Sequence, residues 1–310
     1  MKTVGLSILA VLSFAAMALA GSVPARAEDT LRLCLDKKAS SALRPGSEAD
    51  GFDLSVAQAV ARRLGRAVSV QWFETETDRD NNPAAQVNAL LSDGRCQLVG
   101  GLPLFASAIG DPPSERSRLP QFDGARSEDR RRWVQLRKLV ASRGYRFDPL
   151  VVVLGPGMDR GTIGSLRDLT LARIGAEEGT LADAILMMYD GGLLISRIEH
   201  IAPGRGLLDR MEQGDYNATL VELHRFDEHR ALHPDTKLSS SGHFHSIGFN
   251  IGFVGLASDT PLMVEVDAAI GEMLAQNQFP AIAHAAGLTY LPPRAPDVLT
   301  AIPSAALRGD

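Results

Sequence analysis

The sequence predicts an α/β protein of two lobes, each a mostly parallel sheet flanked by helices. Strand-like runs alternate with amphipathic helical runs over residues 31–102, the pattern that builds βαβ units. A second alternating set begins near residue 150, after a stretch rich in proline, serine and arginine that breaks the rhythm. The 310 residues are 45% apolar, enough to bury the cores of two ordinary domains.

Residues 1–27 read as a secretory signal peptide: Lys2 precedes an apolar run over 4–20, and Ala25 and Ala27 give the small-residue cleavage spacing. Ser7 and Ser13 interrupt the run, which is short for a bilayer span, so a soluble periplasmic protein is expected. The net charge of −5 grows more negative once Lys2 and Arg26 are removed, which argues against a nucleic-acid partner.

In the first lobe, strands are predicted at 31–35, 67–73 and 97–102, with helices at 54–64 and 84–91. Leu54, Val56, Ala57, Val60, Ala61 and Leu64 form one apolar stripe, Gln58, Arg62 and Arg63 face away, and Gly65 stops the helix. Cys34 and Cys96 each lie in or beside a strand. An even cysteine count in an exported chain favours a disulfide between neighbouring strands, with a pair of buried thiols as the alternative. Residues 150–154 read as a strand and open the second lobe, and the run 246–256 leads into helices at 261–275 and 279–286 that pack back on the first. The divisions are thus 28–149 with 250–291 for the first lobe and 150–249 for the second. Residues 292–310 form a proline- and alanine-rich tail expected to be flexible.

Catalytic signatures are missing: there is no G-x-S-x-G elbow, no H-E-x-x-H and no phosphate loop, so no enzyme is expected. His224, His229 and His233 lie along one helix, and His243 and His245 lie together. Only His229 and His233 have the i, i+4 spacing, and a metal centre needs three or four converging ligands. Glu74, Glu76, Asp78 and Asp80 lack the calcium-loop pattern. No metal and no obligatory cofactor is expected.

The order of pieces resembles the type 2 periplasmic solute-binding proteins, the extracellular receptors of ABC importers. The resemblance is carried by "GFDLSVAQAVARRLG", "LSDGRCQLVGG", "SLRDLTLARIGAEEGT", "LLDRMEQGDYNATLVE" and "GFNIGFVGLASDTPLMVEVDAAIGEML". Within it, "LRLC", "VQWF", "GRCQLVGGLP" and "ASRGYRFDPLVVV" are similar to a narrower group that accompanies quinoprotein methanol dehydrogenases (MxaJ and XoxJ type). Gln97, Gly144, Arg146 and the insertion-like 111–138 depart from that group's pattern. The resemblance implies lobes hinged on two crossing strands, near 150–154 and 247–254, and a monomer that takes a small anionic ligand. It also implies a partner, either an ABC transporter permease or a quinoprotein dehydrogenase.

Site residues follow in part from this. Gly179 and Thr180 open a helix whose N-terminus favours an anion, although Thr180 as N-cap with Asp183 is a sufficient structural role. The T-x-x-R arginine fork of the family's amino-acid receptors is missing, and "GGLPLFASAIGDPP" stands in its place, so an ordinary amino acid is less expected than the family resemblance alone implies, and an amino acid or other organic acid is the alternative ligand. Glu222 is positioned to replace their second-lobe aspartate. A basic segment remains: Arg143, Arg146 and Lys138 offer cations, and Trp133 or Tyr145 offers a stacking face. A planar polycarboxylate such as pyrroloquinoline quinone (PQQ), the cofactor of those dehydrogenases, suits both features, whereas a solvated charged face is the plainer reading. Alanine at Arg143 or Arg146 is expected to weaken binding without altering stability.

Overall fold

The computed structural model describes residues 30–37, 51–76, 82–112, 114–159, 161 and 163–310. The signal peptide and two of the acidic residues considered above, Asp78 and Asp80, lie outside the described residues. Among the described residues, no helix is long and apolar enough to cross a membrane.

The first lobe begins β1 (Thr30–Asp36), α1 (Phe52–Arg63), β2 (Ala67–Glu74), α2 (Pro83–Ser92), β3 (Leu98–Pro103). β1 pairs in parallel with β2 on one side and β3 on the other. Helix α1 buries Phe52, Val56, Ala57, Val60 and Ala61, with Asp53 in its first turn and Arg62 and Arg63 in its last, as the helix dipole prefers. Gly65 follows at φ +67°, a conformation that glycine adopts without strain. Asn82 caps α2 by accepting from the amides of Ala84 and Ala85, and Pro83 occupies the first helical position, where no amide is needed.

The arginine-rich stretch is ordered rather than irregular. β4 (Arg116–Arg118) pairs with β6 (Trp133–Gln135), β5 (Gln121–Phe122) extends the main sheet beside β2, and α3 (Ser127–Arg131) lies between them. β7 (Leu139–Ala141) then leads to β8 (Arg146–Leu154), the first crossing strand. The second lobe holds β9 (Ile174–Glu177), α4 (Leu181–Met188), β10 (Ile198–Ile201), α5 (Leu207–Glu212), β11 (Ala218–Glu222) and α6 (Leu223–Leu232). β12 (Ser239–Leu256) returns, and α7 (Thr260–Ala275) and α8 (Phe279–Ala286) close the first lobe.

One sheet runs through both lobes in the order β10-β9-β11-β8-β12-β3-β1-β2-β5, with β7 paired to β12 at the side. At its middle the crossing strands β8 and β12 pair with each other, antiparallel and with two register shifts. A Cβ on Gly248 would lie 2.5 Å from the Phe147 ring and 2.7 Å from Pro149 Cα, so this glycine serves close approach of the two strands. Two core clusters draw on residues 31–145 and 251–283, and two others on residues 150–247.

Strand polarity fixes where a cleft must be. β8 leaves the first lobe and β12 comes back; β11 is antiparallel to β8, and β3 is antiparallel to β12. The carboxyl ends of both strand sets therefore face one another across the β8–β12 ribbon. Ile251 is level with both Pro103 at the end of β3 and Arg146, while Leu150 is level with Glu222 at the end of β11. Arg146 to Leu150 thus forms a floor about 13 Å long, at roughly 3.3 Å per residue.

Cys34 and Cys96 form a disulfide, with both residues buried in the first lobe. The tail behaves otherwise than its composition predicts. Leu299 exchanges backbone hydrogen bonds with Leu104 and Ala106, and the Asn250 amide donates to the carbonyls of Arg294, Pro296 and Asp297. Ile302, Ala306 and Leu307 then pack on the second-lobe core, and Asp310 accepts from the Leu166 amide and the Tyr189 hydroxyl. His245, buried, donates from Nε2 to the Gly309 carbonyl and accepts at Nδ1 from Ile247. Residues 292–310 are therefore a strap that grips both lobes, because its apolar side chains and its end carboxylate find partners that are remote in sequence.

Candidate functional site

The floor of the cleft is a buried charge network. Arg146 is 5% exposed, with Nη1 3.3 Å from Asp148 Oδ1 and Nε 4.0 Å from Asp53 Oδ1. Asp148 in turn accepts from the His224 amide at 3.1 Å and lies 2.6 Å from His224 Nδ1. Asp53 accepts from the Tyr145 hydroxyl at 2.7 Å. The network joins the first turn of α1, strand β8 and the first turn of α6, three elements that meet only because of the crossover topology.

Burial opposes charge on Asp148 and His224, and their neighbours win. Burial pushes the Asp148 carboxyl up, but His224 and Arg146 bring it below its ordinary value. Burial pulls the His224 imidazole down, yet the Asp148 charge and hydrogen bond raise it overall. The signs define a window. The His224 contribution is complete below its ordinary value of 6.5 and is lost as pH rises through the higher folded value. The Asp148 contribution is complete above 3.8 and is lost as pH falls through the lower folded value.

The first-lobe wall is apolar. A cavity of about 510 Å³ opens at the carboxyl ends of β1, β2 and β3, lined by Leu102, Pro103, Phe105, Ala108, Ile109 and Phe249 among others. Phe105 and Phe249 meet edge to face at 5.9 Å. Asp36, which accepts a hydrogen bond from Thr75, and Thr75 itself supply its polar edge. These apolar residues come largely from the stretch that replaces the arginine fork.

The second-lobe wall is polar. Glu177, at the end of β9, accepts from Arg225 at 2.8 Å and from the Gly204 amide at 2.9 Å, and Glu222 lies 3.6 Å from Arg225. Thr180 caps α4 by accepting from the Asp183 amide, while Asp183 accepts from the Gly179 amide. Gly179, Thr180 and Glu222 thus stand at the carboxyl ends of second-lobe strands, with Thr180 in the capping role.

Apart from Arg146, which forms the floor, the basic segment does not gather at this cleft. Arg143 is held by Asp267 at 2.7 Å on the first lobe. Tyr145 is wholly buried among Phe52, Phe253 and Phe279, its hydroxyl accepting from the Gly101 amide, so its ring offers no stacking face. Trp133 and Arg132 lie beside Ser92 and Asp93 at the C-terminal end of α2, roughly 15 Å, the length of that ten-residue helix, from its cleft end. Arg118 stacks on Trp133 at 5.0 Å, Lys138 faces Asp111 at 3.5 Å, and Arg130 and Arg132 pair with Glu76 and Asp93. A charge run predicted as a ligand cradle is largely occupied by first-lobe carboxylates.

Asp53, Asp148 and His224 were not singled out from sequence as site residues. The one local signal was Asp53, an ionisable residue set into the apolar stripe of α1.

No family model and no curated protein matches the chain. Solved structures do. A substrate-binding domain assigned to an amino acid ABC transporter of Streptococcus pneumoniae matches at 14% identity and a TM-score of 0.57, covering 82% of this chain and 98% of that one. The second substrate-binding domain of Lactococcus lactis GlnP, in its open conformation, matches at 14% and 0.55, covering 83% and 94%. The unliganded, open L-cystine receptor of Neisseria gonorrhoeae matches at 17% and 0.53, covering 84% and 93%. At such identity the likeness is one of fold: the chain has the two-lobed α/β architecture shared by these substrate-binding proteins.

Proposed function

We propose that the protein is an extracytoplasmic receptor that closes its lobes on a small organic solute and serves an ABC importer, without catalysing a reaction. The observation that carries this is the pair of unlike walls over one charged floor: an apolar cavity on the first lobe faces polar groups on the second. A solute with an apolar side and a charged end fits that asymmetry, and an amino acid with an apolar side chain has both. The cavity volume lies within the usual range for small-molecule sites. The disulfide suits an oxidising compartment. PQQ loses the basic, aromatic cradle it relied on, because the members lie apart, and a quinoprotein dehydrogenase partner rests on the sequence resemblance alone.

A thermal-shift screen of the mature protein against apolar and polar amino acids, dicarboxylates and PQQ tests the reading. A true ligand at a hundredfold excess over Kd adds about 2.7 kcal/mol. We expect apolar amino acids to stabilise the protein, and Phe105→Ala to weaken them tenfold or more, since burying one large apolar side chain contributes about 1.5–3 kcal/mol. Stabilisation by PQQ that is indifferent to Phe105→Ala would overturn the assignment.

A further inference from the structure

The geometry points to a divalent transition-metal site on the outer part of the second lobe, formed by Asp209 of α5 with His229 and His233 of the α6 turn. The three side chains bring one donor atom each to within 4.8 Å of one another. Asp209 Oδ1 lies 3.7 Å from His229 Nδ1 and 3.5 Å from His233 Nε2. These separations are long for hydrogen bonds. They are close to the edges of a tetrahedron whose metal–ligand bonds are about 2.0–2.2 Å, which run to about 3.3–3.6 Å, and the third edge, between the two histidine donors, is within 4.8 Å, so a small inward movement of the side chains completes the set.

The surroundings are those of a prepared ligand set. His229 is only 7% exposed, so packing fixes its ring, and its second nitrogen, Nε2, stands 3.4 Å from Glu212 Oε1. A carboxylate behind a histidine is the usual support that sets the tautomer of a metal ligand. Thr236 donates its hydroxyl to the same Glu212 oxygen, which holds the carboxylate in place. The His229 and His233 rings stack at 4.4 Å, one helical turn apart. His233 and Asp209 are half exposed, which leaves an approach for the ion and a fourth position for water. Two imidazoles and one carboxylate favour Zn²⁺, Ni²⁺ or Cu²⁺ over Mg²⁺ or Ca²⁺. The i, i+4 histidine pair was legible in the sequence, whereas the third ligand comes from the preceding helix and appears only on folding.

Calorimetric titration of untagged, EDTA-stripped protein with ZnCl₂ tests this. We expect a single site, a raised Tm, and binding weakened about tenfold or more in Asp209→Asn and in His233→Ala, both at half-exposed positions whose change leaves the metal-free Tm in place. Glu212→Gln should weaken binding by about 10- to 100-fold while the three ligands remain. Nitrogen-edited spectra should show the metal on Nδ1 of His229 and Nε2 of His233. Absence of Zn²⁺ binding by the wild type, or equal affinity in Asp209→Asn and His233→Ala, would overturn the site.

Discussion

Replacing Arg146 by methionine should lower the stability of the ligand-free protein by about 3–5 kcal/mol, the usual result of removing one partner from a buried ion network. Methionine keeps much of the volume but withdraws the cation between Asp53 and Asp148, which are 0% and 7% exposed. Asp148 retains His224 and Asp53 retains the Tyr145 hydroxyl, so the network is depleted rather than erased. Arg143→Ala gives the contrast. Its ion pair with Asp267 is partly exposed, 41% on the arginine side, and such pairs contribute only about 0–1 kcal/mol. Urea unfolding midpoints of the two variants check the difference. From sequence, alanine at either arginine is expected to leave stability unaltered; the burial of Arg146 argues against that at this position, and an unchanged midpoint in Arg146→Met would mean that water reaches the floor and compensates.

Loss of the Cys34–Cys96 bridge should cost about 2–5 kcal/mol, and the chain-entropy relation for its separation of 62 residues gives roughly 4 kcal/mol. The bridge ties β1 to the turn entering β3 inside a cluster that also contains Phe73, Leu90, Val99 and Leu104. Phe105, beside Leu104, lines the apolar cavity, so the bridge also supports the wall on which ligand binding is proposed. The double variant Cys34→Ala with Cys96→Ala should unfold at a clearly lower urea concentration. Midpoints equal within error would show that packing alone holds β1 and β3 together.

Local periodicity carried most of the fold. Helix α1 was expected at 54–64 and spans Phe52–Arg63; the last helix was expected at 279–286 and spans Phe279–Ala286. What local pattern could not reveal depended on distant partners. The first half of β12, "SSSGHFH", is polar and shows no alternation, and it is a strand because β8 lies beside it. The tail reads as loose because proline and alanine say little about the remote residues, from Leu104 to Asn250, that hold it. The site divided the same way. Gly179, Thr180 and Glu222 sit at strand ends and helix starts, so their placement was legible. Asp53, Asp148 and His224 are far apart in the chain, and only the crossing of β8 brings them together. Lys138 and Arg143 mislead because a run of charge does not show which carboxylates will meet it.

A solute bridging the apolar first-lobe wall and the polar second-lobe wall should draw the lobes together about β8 and β12. A ligand favours closure only by its differential affinity for the closed state, so one that touches a single wall shifts nothing. Small-angle X-ray scattering of the protein, alone and saturated with the best ligand from the screen, measures this directly. A smaller radius of gyration in the bound sample is the predicted result; superimposable curves at saturation would contradict the account.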